Sequence, residues 1–346
     1  MILMKQDQLP LLKAKYSIFL PVRNGEAYLA KAIESVLSQK VKDFILIILE
    51  NKSTDQTLSI IQGFDDPRIV MLEAQSDLGI CENWNRIYEL ISSGQVQTEF
   101  STLFSDDDIY YPDFLATIDQ LQSTDPGASA YQTHFDLIDK FGNIIRPCKS
   151  IPACESHKDF FLSCCWGNRD IFGTGTVFRT KDYVKVGGMS AFPLLLWSDD
   201  LLVIRLTKLS YKICGGRTAF AYRSYKKSLS GAISVDKFEA VITALNLYLT
   251  EIKNHHADLI ETNNDKIALG FLIARVMDWY DFPLRRVLMR EEIAKTVGHL
   301  RAEAAQLMQG HTLHELSKSN FVGRLYSRLR QYYVMFLFCS RKCSQN

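Results

Sequence analysis

The chain has almost no charge surplus, with 40 Lys and Arg against 39 Asp and Glu in 346 residues and a formal net charge of +1. It therefore lacks the overall field that would draw a polyanion, nucleic acid is not an expected partner, and any charged ligand must be met by a local patch. It also lacks the run of about 18 to 20 apolar residues that a spanning helix needs. The longest candidate, Tyr332 to Cys339, is bounded by Arg330 and Arg341. The opening segment, MILMKQDQLPLLKAKYSIFLP, has no charged start, apolar run and small-residue cleavage site in that order, so it reads as unprocessed. The eight cysteines form neither a CxxC pair nor a regular disulfide framework, and free thiols in a reducing cytoplasm are the simplest account. No internal repeat or low-complexity segment is present.

What is there is a globular composition, 47% hydrophobic and 23% charged, enough for one large core or two moderate ones. The first 130 or so residues alternate short β-rich runs with amphipathic helical patterns, the form of parallel strands joined by helical crossovers. Tyr16–Leu20, Phe44–Leu49, Ile69–Leu72 and Phe100–Phe104 read as four strands; the second is too continuously apolar to be exposed on either face. Between them, Leu29, Ile33, Val36 and Leu37 recur at helical spacing. Ser53 with Gln56 suits a capping box that opens a helix through Gln62, and Ile80–Ile91 forms a further helix. Pro112 opens the next, Ala128–Thr133 reads as a strand, and a Gly-Asn turn within Lys140–Asn143 predicts a hairpin, so the sheet becomes mixed in its second half. From about 236 the pattern is helical, beginning with Phe238, Val241, Ile242 and Leu245, which places a boundary near Gly231.

In an open parallel sheet, ligands bind beyond the carboxyl ends of the strands. Those positions are polar here: Pro21-Val22-Arg23-Asn24-Gly25, then Glu50-Asn51-Lys52-Ser53-Thr54-Asp55, then Ser105-Asp106-Asp107-Asp108. Three consecutive carboxylates repel one another, and a divalent cation is their natural counterion, with Mg²⁺ or Mn²⁺ bridging one or two of them to a diphosphate. Taken alone, the run also reads as a solvated acidic turn before the Pro112 helix.

The order and spacing of several segments resemble a known family. SIFLPVRNGEAYLAKAIESVLSQ, FILIILENKSTDQT, FSDDDIYYPDFL, GTGTVFRTKDYVKVGGM, WSDDLLVIRL and YRSYKKSLS, spread over roughly 15 to 231, look like family 2 glycosyltransferases. The resemblance implies an α/β GT-A fold, Rossmann-like, with a mixed, mostly parallel sheet flanked by helices and a helical C-terminal subdomain. It implies a glycosyltransferase domain over 1–231, with a nucleotide-sugar-binding half at 15–134 and an acceptor half at 135–231, followed by a helical region at 232–346. By the same resemblance Pro21 and Asn24 enclose the nucleoside, Glu50 and Asn51 contact base and ribose, and Arg23 stacks on the base or approaches phosphate. The acidic pair usual after the second strand is here Glu50-Asn51, and an amide can both donate to and accept from a base edge. Asp107 matches the metal ligand, Asp106 a ribose or metal contact, and Asp108 is the third candidate ligand, though it also suits a helix cap.

For the acceptor side, Trp197-Ser198-Asp199-Asp200 resembles the family's acidic catalytic motif, with Asp199 as the base that takes the acceptor proton and Asp200 as the fallback. Both acids also suit the start of the helix that follows. Gly173-Thr174-Gly175-Thr176 resembles the loop beside the donor sugar, from which Gly175 and Thr176 are candidate contacts. Tyr222-Arg223 and Ser228-Leu229-Ser230 resemble the closing segment, with Tyr225 where histidine is common and Lys226 and Lys227 near the diphosphate. The reaction implied is an inverting transfer from a nucleotide diphosphate sugar, UDP-linked by expectation, to a glycan or lipid-linked glycan in bacterial surface polysaccharide or lipopolysaccharide synthesis. A sugar-nucleotide nucleotidyltransferase would carry a Gly-rich phosphate loop after strand one, which PVRNGEA is not. A noncatalytic nucleotide-binding assembly protein of the same fold is the third reading. Within 321–342, Leu325, Leu329, Tyr332 and Phe336 share a helical face with arginines close by, which suits an anionic membrane surface at the inner face of the cytoplasmic membrane, the protein core, or a homo-oligomer contact.

Overall fold

The computed structural model describes residues 2–4, 9–224, 235–284, 291–308 and 311–312. In chain order the elements are β1 (Ile2–Met4), β2 (Leu12–Val22), α1 (Leu29–Leu37), β3 (Phe44–Glu50), α2 (Thr57–Gln62), β4 (Ile69–Glu73), α3 (Ile80–Ser92) and β5 (Val96–Leu103). There follow β6 (Ile109–Tyr110), α4 (Phe114–Thr124), β7 (Ala130–Ile138), β8 (Ile144–Pro147), β9 (Cys154–Glu155), α5 (His157–Cys165), β10 (Thr176–Arg179) and α6 (Thr180–Lys185). The chain continues through α7 (Ser198–Leu209), β11 (Lys212–Arg223), α8 (Val235–His255), α9 (Asn263–Leu284) and α10 (Glu291–Leu307).

These strands form one sheet in the order β1-β4-β3-β2-β5-β10-β7-β11-β6, with β8 added to β7 and β9 to β11. The first four ladders are parallel. β10 then runs antiparallel to both β5 and β7, so the sheet is parallel on the donor-like side and mixed beyond it, as the alternating pattern and the hairpin signal predict. Chain order runs outward from β2 through β3 to β4, then returns to the other flank of β2 with β5. The switch point therefore lies between β2 and β5, where an open α/β sheet leaves a crevice at its carboxyl edge.

Local backbone chemistry opens that crevice. The β2–β5 ladder ends at Phe19 and Leu103, whereas β2–β3 continues to Val22 and Glu50. Pro21 has the same parity as Phe19, whose carbonyl faces β5 and accepts from Phe104 N–H at 2.9 Å. Its missing N–H thus falls where β2 and β5 separate, so no ladder bond is lost there.

Two apolar layers cover the sheet. One includes Ile18, Ile33, Ile48, Phe104 and Phe114, and the other Phe19, Ile47, Leu72, Leu90 and Leu206. A third cluster joins α5 and α7 to the C-terminal helices, with Phe161, Cys165, Leu201, Leu245, Tyr248 and Leu272 among its members. Thus Cys164 and Cys165 are apolar core groups on α5. Gly231, Tyr225, Lys226, Lys227, Ser228–Ser230 and the whole 321–342 segment lie outside the described residues. No described helix is long and apolar enough to cross a membrane.

Two helix starts differ from the sequence expectation. α2 begins at Thr57, because Ser53 Oγ accepts from Asn24 N–H instead of capping a helix, while Asp55 Oδ1 accepts from Thr57 N–H at 2.9 Å. α4 begins at Phe114, after Asp113 and not at Pro112, whose carbonyl accepts from Lys40 N–H.

Candidate functional site

The loop after β2 and the loop after β3 are tied together by side chains bonding to backbone. Asn24 Oδ1 accepts from Thr54 N–H at 2.8 Å, Thr57 Oγ1 from Gly25 N–H at 2.8 Å, Asp55 Oδ2 from Glu26 N–H at 3.1 Å and Glu26 Oε2 from Gln56 N–H at 3.0 Å. Asn24 and Lys52 hold positive φ angles of 55° and 50° within this zipper. Glu50 is buried, and its carboxylate accepts from Lys52 N–H at 3.1 Å and Ser53 N–H at 2.7 Å. Asn51 exchanges two bonds with the Leu78 backbone, each 2.9 Å long. Sequence reasoning assigns Glu50 and Asn51 to the base; the structure engages both side chains in shaping the loop, and of the two only Asn51 borders the cavity.

That cavity, of about 660 Å³, lies at the switch point. Pro21, Arg23, Asn24, Asn51, Asp106, Asp107, Asp199 and Asp200 all line it, so residues chosen from four separate segments meet in one space. Arg23 also pairs with exposed Asp77 at 2.5 Å, a surface contact of little energetic weight. Besides Glu50, three chosen residues, Thr176, Gly175 and Asp108, lie elsewhere. Thr176 is buried in β10, where its carbonyl accepts from Thr102 Oγ1. Gly175 has φ 87°, and a Cβ there would overlap the Phe220 ring. Gly173 is the glycine of this loop that borders the cavity. Asp108 is fully buried behind the wall, where its Oδ1 accepts from Arg223 N–H at 2.8 Å. In that position Asp108 fastens β11 to the acidic turn and does not line the cavity that Asp106 and Asp107 border.

The acidic run is electrostatically taut. Burial, followed by the charge of Asp107, lifts the Asp106 carboxyl to about 7. Burial lifts Asp107 to about 6 against its own backbone bond and the nearby Arg223. Arg223 donates through Nε to the Asp107 carbonyl at 2.7 Å and through Nη1 to the Asp139 carbonyl at 2.8 Å, and its guanidinium lies 4.3 Å from the Tyr28 ring centroid. Gly25 is required beside this run: a Cβ would overlap Asp106 Oδ2 and approach Val22 Cγ2 to 2.8 Å. Among the described residues no group of three or more His, Cys, Asp or Glu side chains is arranged to hold a metal. Asp106 and Asp107 nevertheless suit Mg²⁺ or Mn²⁺, because such ions take one or two carboxylates and complete their shell with water and substrate phosphate. A cation here would relieve the repulsion that raises Asp106.

Asp199 and Asp200 occupy the first turn of α7, where the helix dipole favours negative charge. Burial raises Asp199, offset by a 3.0 Å bond from Asp200 N–H. Burial and the charge of Asp199 raise Asp200 well above the usual carboxylate range. The two carboxyls therefore titrate as one coupled pair, both raised by burial. Sequence reasoning also missed much of the cavity's apolar wall. Ile80 and Trp84 come from one face of α3, Phe172 stacks on Tyr222 at 3.3 Å between centroids, and Leu194, Leu195, Leu196 and Trp197 form a loop. The i, i+4 spacing of Ile80 and Trp84 was a readable signal; in the loop only Trp197, beside the acidic pair, was marked, and Leu194, Leu195 and Leu196 carried none. Leu194, Leu195 and Trp197 have positive φ, conformations that only surrounding packing can hold in such bulky residues.

Comparison with known proteins adds independent observations. Residues 17–186 match the sequence model described as Glycosyl transferase family 2. A GalNAc(5)-diNAcBac-PP-undecaprenol beta-1,3-glucosyltransferase of Campylobacter jejuni is 32% identical over 133 residues, 38% of this chain and 40% of that protein. A PGL/p-HBAD biosynthesis glycosyltransferase of Mycobacterium bovis is 30% identical over 106 residues, 30% of this chain and 40% of that protein. These matches span less than half the length of either curated relative. The structure of S. aureus TarS 1-349 in complex with UDP-GlcNAc superposes with a TM-score of 0.61 at 14% identity, covering 85% of this chain and 81% of that one, a likeness of fold.

Proposed function

Because the chain belongs to glycosyl transferase family 2 through residues 17–186, we propose that it transfers a sugar from a nucleoside diphosphate sugar to a hydroxyl of a glycan or lipid-linked glycan. One observation carries this reading: a single cavity is lined by both Asp106 and Asp107 after β5 and Asp199 and Asp200 at the start of α7. A diphosphate needs the first pair with its cation, and an acceptor hydroxyl needs a base such as the second supplies.

Pro21, Arg23, Asn24 and Asn51 border the nucleoside end, and the Phe172–Tyr222 stack offers an apolar platform in the same wall. UDP is our choice of donor carrier, supported at the level of fold by the TarS complex. Asp107, then Asp106, would hold Mn²⁺ or Mg²⁺, which when bound supplies positive charge against the departing diphosphate. Asp199 takes the acceptor proton, with Asp200 beside it on the first turn of α7 as the fallback base. An attack from the Asp199 side inverts the anomeric centre. The undecaprenol-linked acceptor in the name of the C. jejuni relative supports a lipid-linked acceptor and bacterial surface-glycan synthesis.

The test is calorimetry with UDP, GDP and dTDP, with and without Mn²⁺, on the wild type and Asp107→Ala. Metal-dependent binding of one diphosphate, lost in the variant, is the expected result. Failure of all three to bind under either condition would overturn the donor-site assignment.

A further inference from the structure

Outside the cavity, the most exposed large apolar side chains of the described residues gather on the β7–β8 hairpin: Phe141 at 73%, Ile144 at 63% and Ile145 at 56% exposed. We propose that this hairpin is a membrane-surface anchor that enters the headgroup layer of an anionic bilayer and holds the mouth of the reaction cavity there.

The hairpin is rigid where it is apolar. Asp139 N–H donates to the Asn143 carbonyl at 2.9 Å, and Asp139 Oδ1 accepts from both Phe141 N–H and Asn143 N–H. Gly142 supplies the left-handed residue at φ 95°. Phe141 is thus displayed on a preformed turn, and its burial in lipid would require little ordering. All four residues of β8 are exposed, and among the described residues β8 pairs only with β7.

The backbone of this edge argues against a strand from another protein as the occupant. Ile138 pairs with Ile144 but Leu137 with Arg146, so Ile145 is an extra, bulged residue. Pro147, the last residue of β8, has no N–H to donate. Bulges and prolines block strand addition, while the apolar side chains remain available. A bilayer interface needs only those side chains.

The surrounding charge suits an anionic surface. Lys140 is exposed with its ammonium 4.7 Å from the Phe141 ring centroid, and Arg146 is exposed on β8. Asp170 holds Arg146 through two 2.8 Å bonds and is itself only 10% exposed against 43% for Arg146, so the cation is the more accessible member of the pair. Lys and Arg beside bulky apolar groups are the composition of an interfacial anchor.

Position links the anchor to the reaction. Arg223 bonds the Asp139 carbonyl at the hairpin's base and the Asp107 carbonyl at the cavity, joining the two within one side chain. The proposal deepens the lipid-linked acceptor reading, yet its test needs no substrate, so either can fail without the other.

The test is flotation of the full chain with vesicles of phosphatidylglycerol and phosphatidylethanolamine, compared with phosphatidylcholine alone. Wild type should partition to the anionic vesicles, and Phe141→Ser/Ile144→Ser/Ile145→Ser should reduce that partition by about tenfold or more. Binding of the triple variant within about twofold of wild type would overturn the proposal, including the case in which another segment alone binds lipid. Phe141→Trp supplies a second reading in a chain with an intact fold: quenching by brominated lipid in excess of the wild-type signal supports insertion, and its absence overturns it. A triple variant that changes only the oligomeric state, with vesicle binding unaltered, would assign the patch to a second copy of the chain and also overturn it.

Discussion

Replacing Asp106 by Asn should make the chain more stable while weakening its grip on a metal and donor. Burial and the charge of Asp107 raise the Asp106 carboxyl from 3.8 to about 7. A span of about three units at 1.36 kcal/mol each bounds the cost of keeping it ionised at about 4 kcal/mol. The sign is fixed by proton binding. Between about pH 4 and pH 7 the folded state holds a proton that the unfolded state has released, so stability falls through that window and the full cost is present above it. Asn has no proton to lose and nearly the same shape, but its amide N–H must find a partner in a site built for a carboxylate. The net gain for Asp106→Asn is therefore about 2–4 kcal/mol near pH 8, or a rise of about 3–6 °C in Tm, shrinking towards zero near pH 4.5. Thermal unfolding of both proteins at pH 4.5, 6 and 8, without divalent ions, measures this directly. Added Mn²⁺ should stabilise the wild type and leave the variant little changed, closing the gap. A Tm difference that is negative at pH 8, or the same at all three values, would refute the assignment of Asp106 as a desolvated, cation-seeking carboxylate.

Asp199→Asn should lower kcat by about 10²- to 10⁴-fold with donor binding by calorimetry unchanged, whereas equal activity would remove it as the base. Gly25→Ala should displace Asp106 through its added Cβ and weaken metal-dependent diphosphate binding by about tenfold, read as Kd with and without Mn²⁺. Gly175→Ala should cost about 2–4 kcal/mol in thermal or denaturant unfolding, because its left-handed backbone and the Phe220 ring both resist a methyl group. A loss of activity in that variant without loss of stability would return Gly175 to the substrate.

The strand order and the polar clusters after the strands were legible because they follow from period and topology. Phe44–Leu49 is apolar at every position, and β3 is central; Arg23 and Asp106 follow parallel strands, and both border the switch-point cavity. The direction of each side chain within a loop was not legible. Glu50 and Asn51 satisfy backbone N–H and C=O groups a few residues away or across a loop, and nothing in a linear pattern distinguishes that use from contact with a base. The same holds for Asp108, which differs from Asp106 and Asp107 only in facing Arg223 of β11, 115 residues later. The 194–197 wall was hidden for a stronger reason. Its residues have no intrinsic preference for left-handed backbone, and their conformation is imposed by packing on α8, as the Trp197–Tyr248 ring pair at 6.3 Å shows.

That imposed loop gives the C-terminal helices a part in the site. Among the described residues, all five non-glycine positive-φ positions, Asn24, Lys52, Leu194, Leu195 and Trp197, border the cavity or adjoin a residue that does. Each such residue costs on the order of 1 kcal/mol, and the raised carboxylates of Asp106, Asp107, Asp199 and Asp200 add electrostatic cost in the same volume. The offset comes from packing elsewhere, above all from the cluster in which Phe238, Leu245 and Tyr248 of α8 meet Leu201 and Ile204 of α7 beside Trp197. Loosening α8 should therefore free the 194–197 loop and α7's first turn before it disturbs β2, β3 or β5, whose ladders and apolar layers do not depend on that helix. Leu245→Ala removes a fully buried side chain from this cluster and should cost about 2–5 kcal/mol. If α8 holds the catalytic wall, hydrogen exchange in that variant will accelerate at 192–201 while the β2–β3 amides remain protected. Uniform acceleration across both regions would show that the strain is borne by the sheet as a whole.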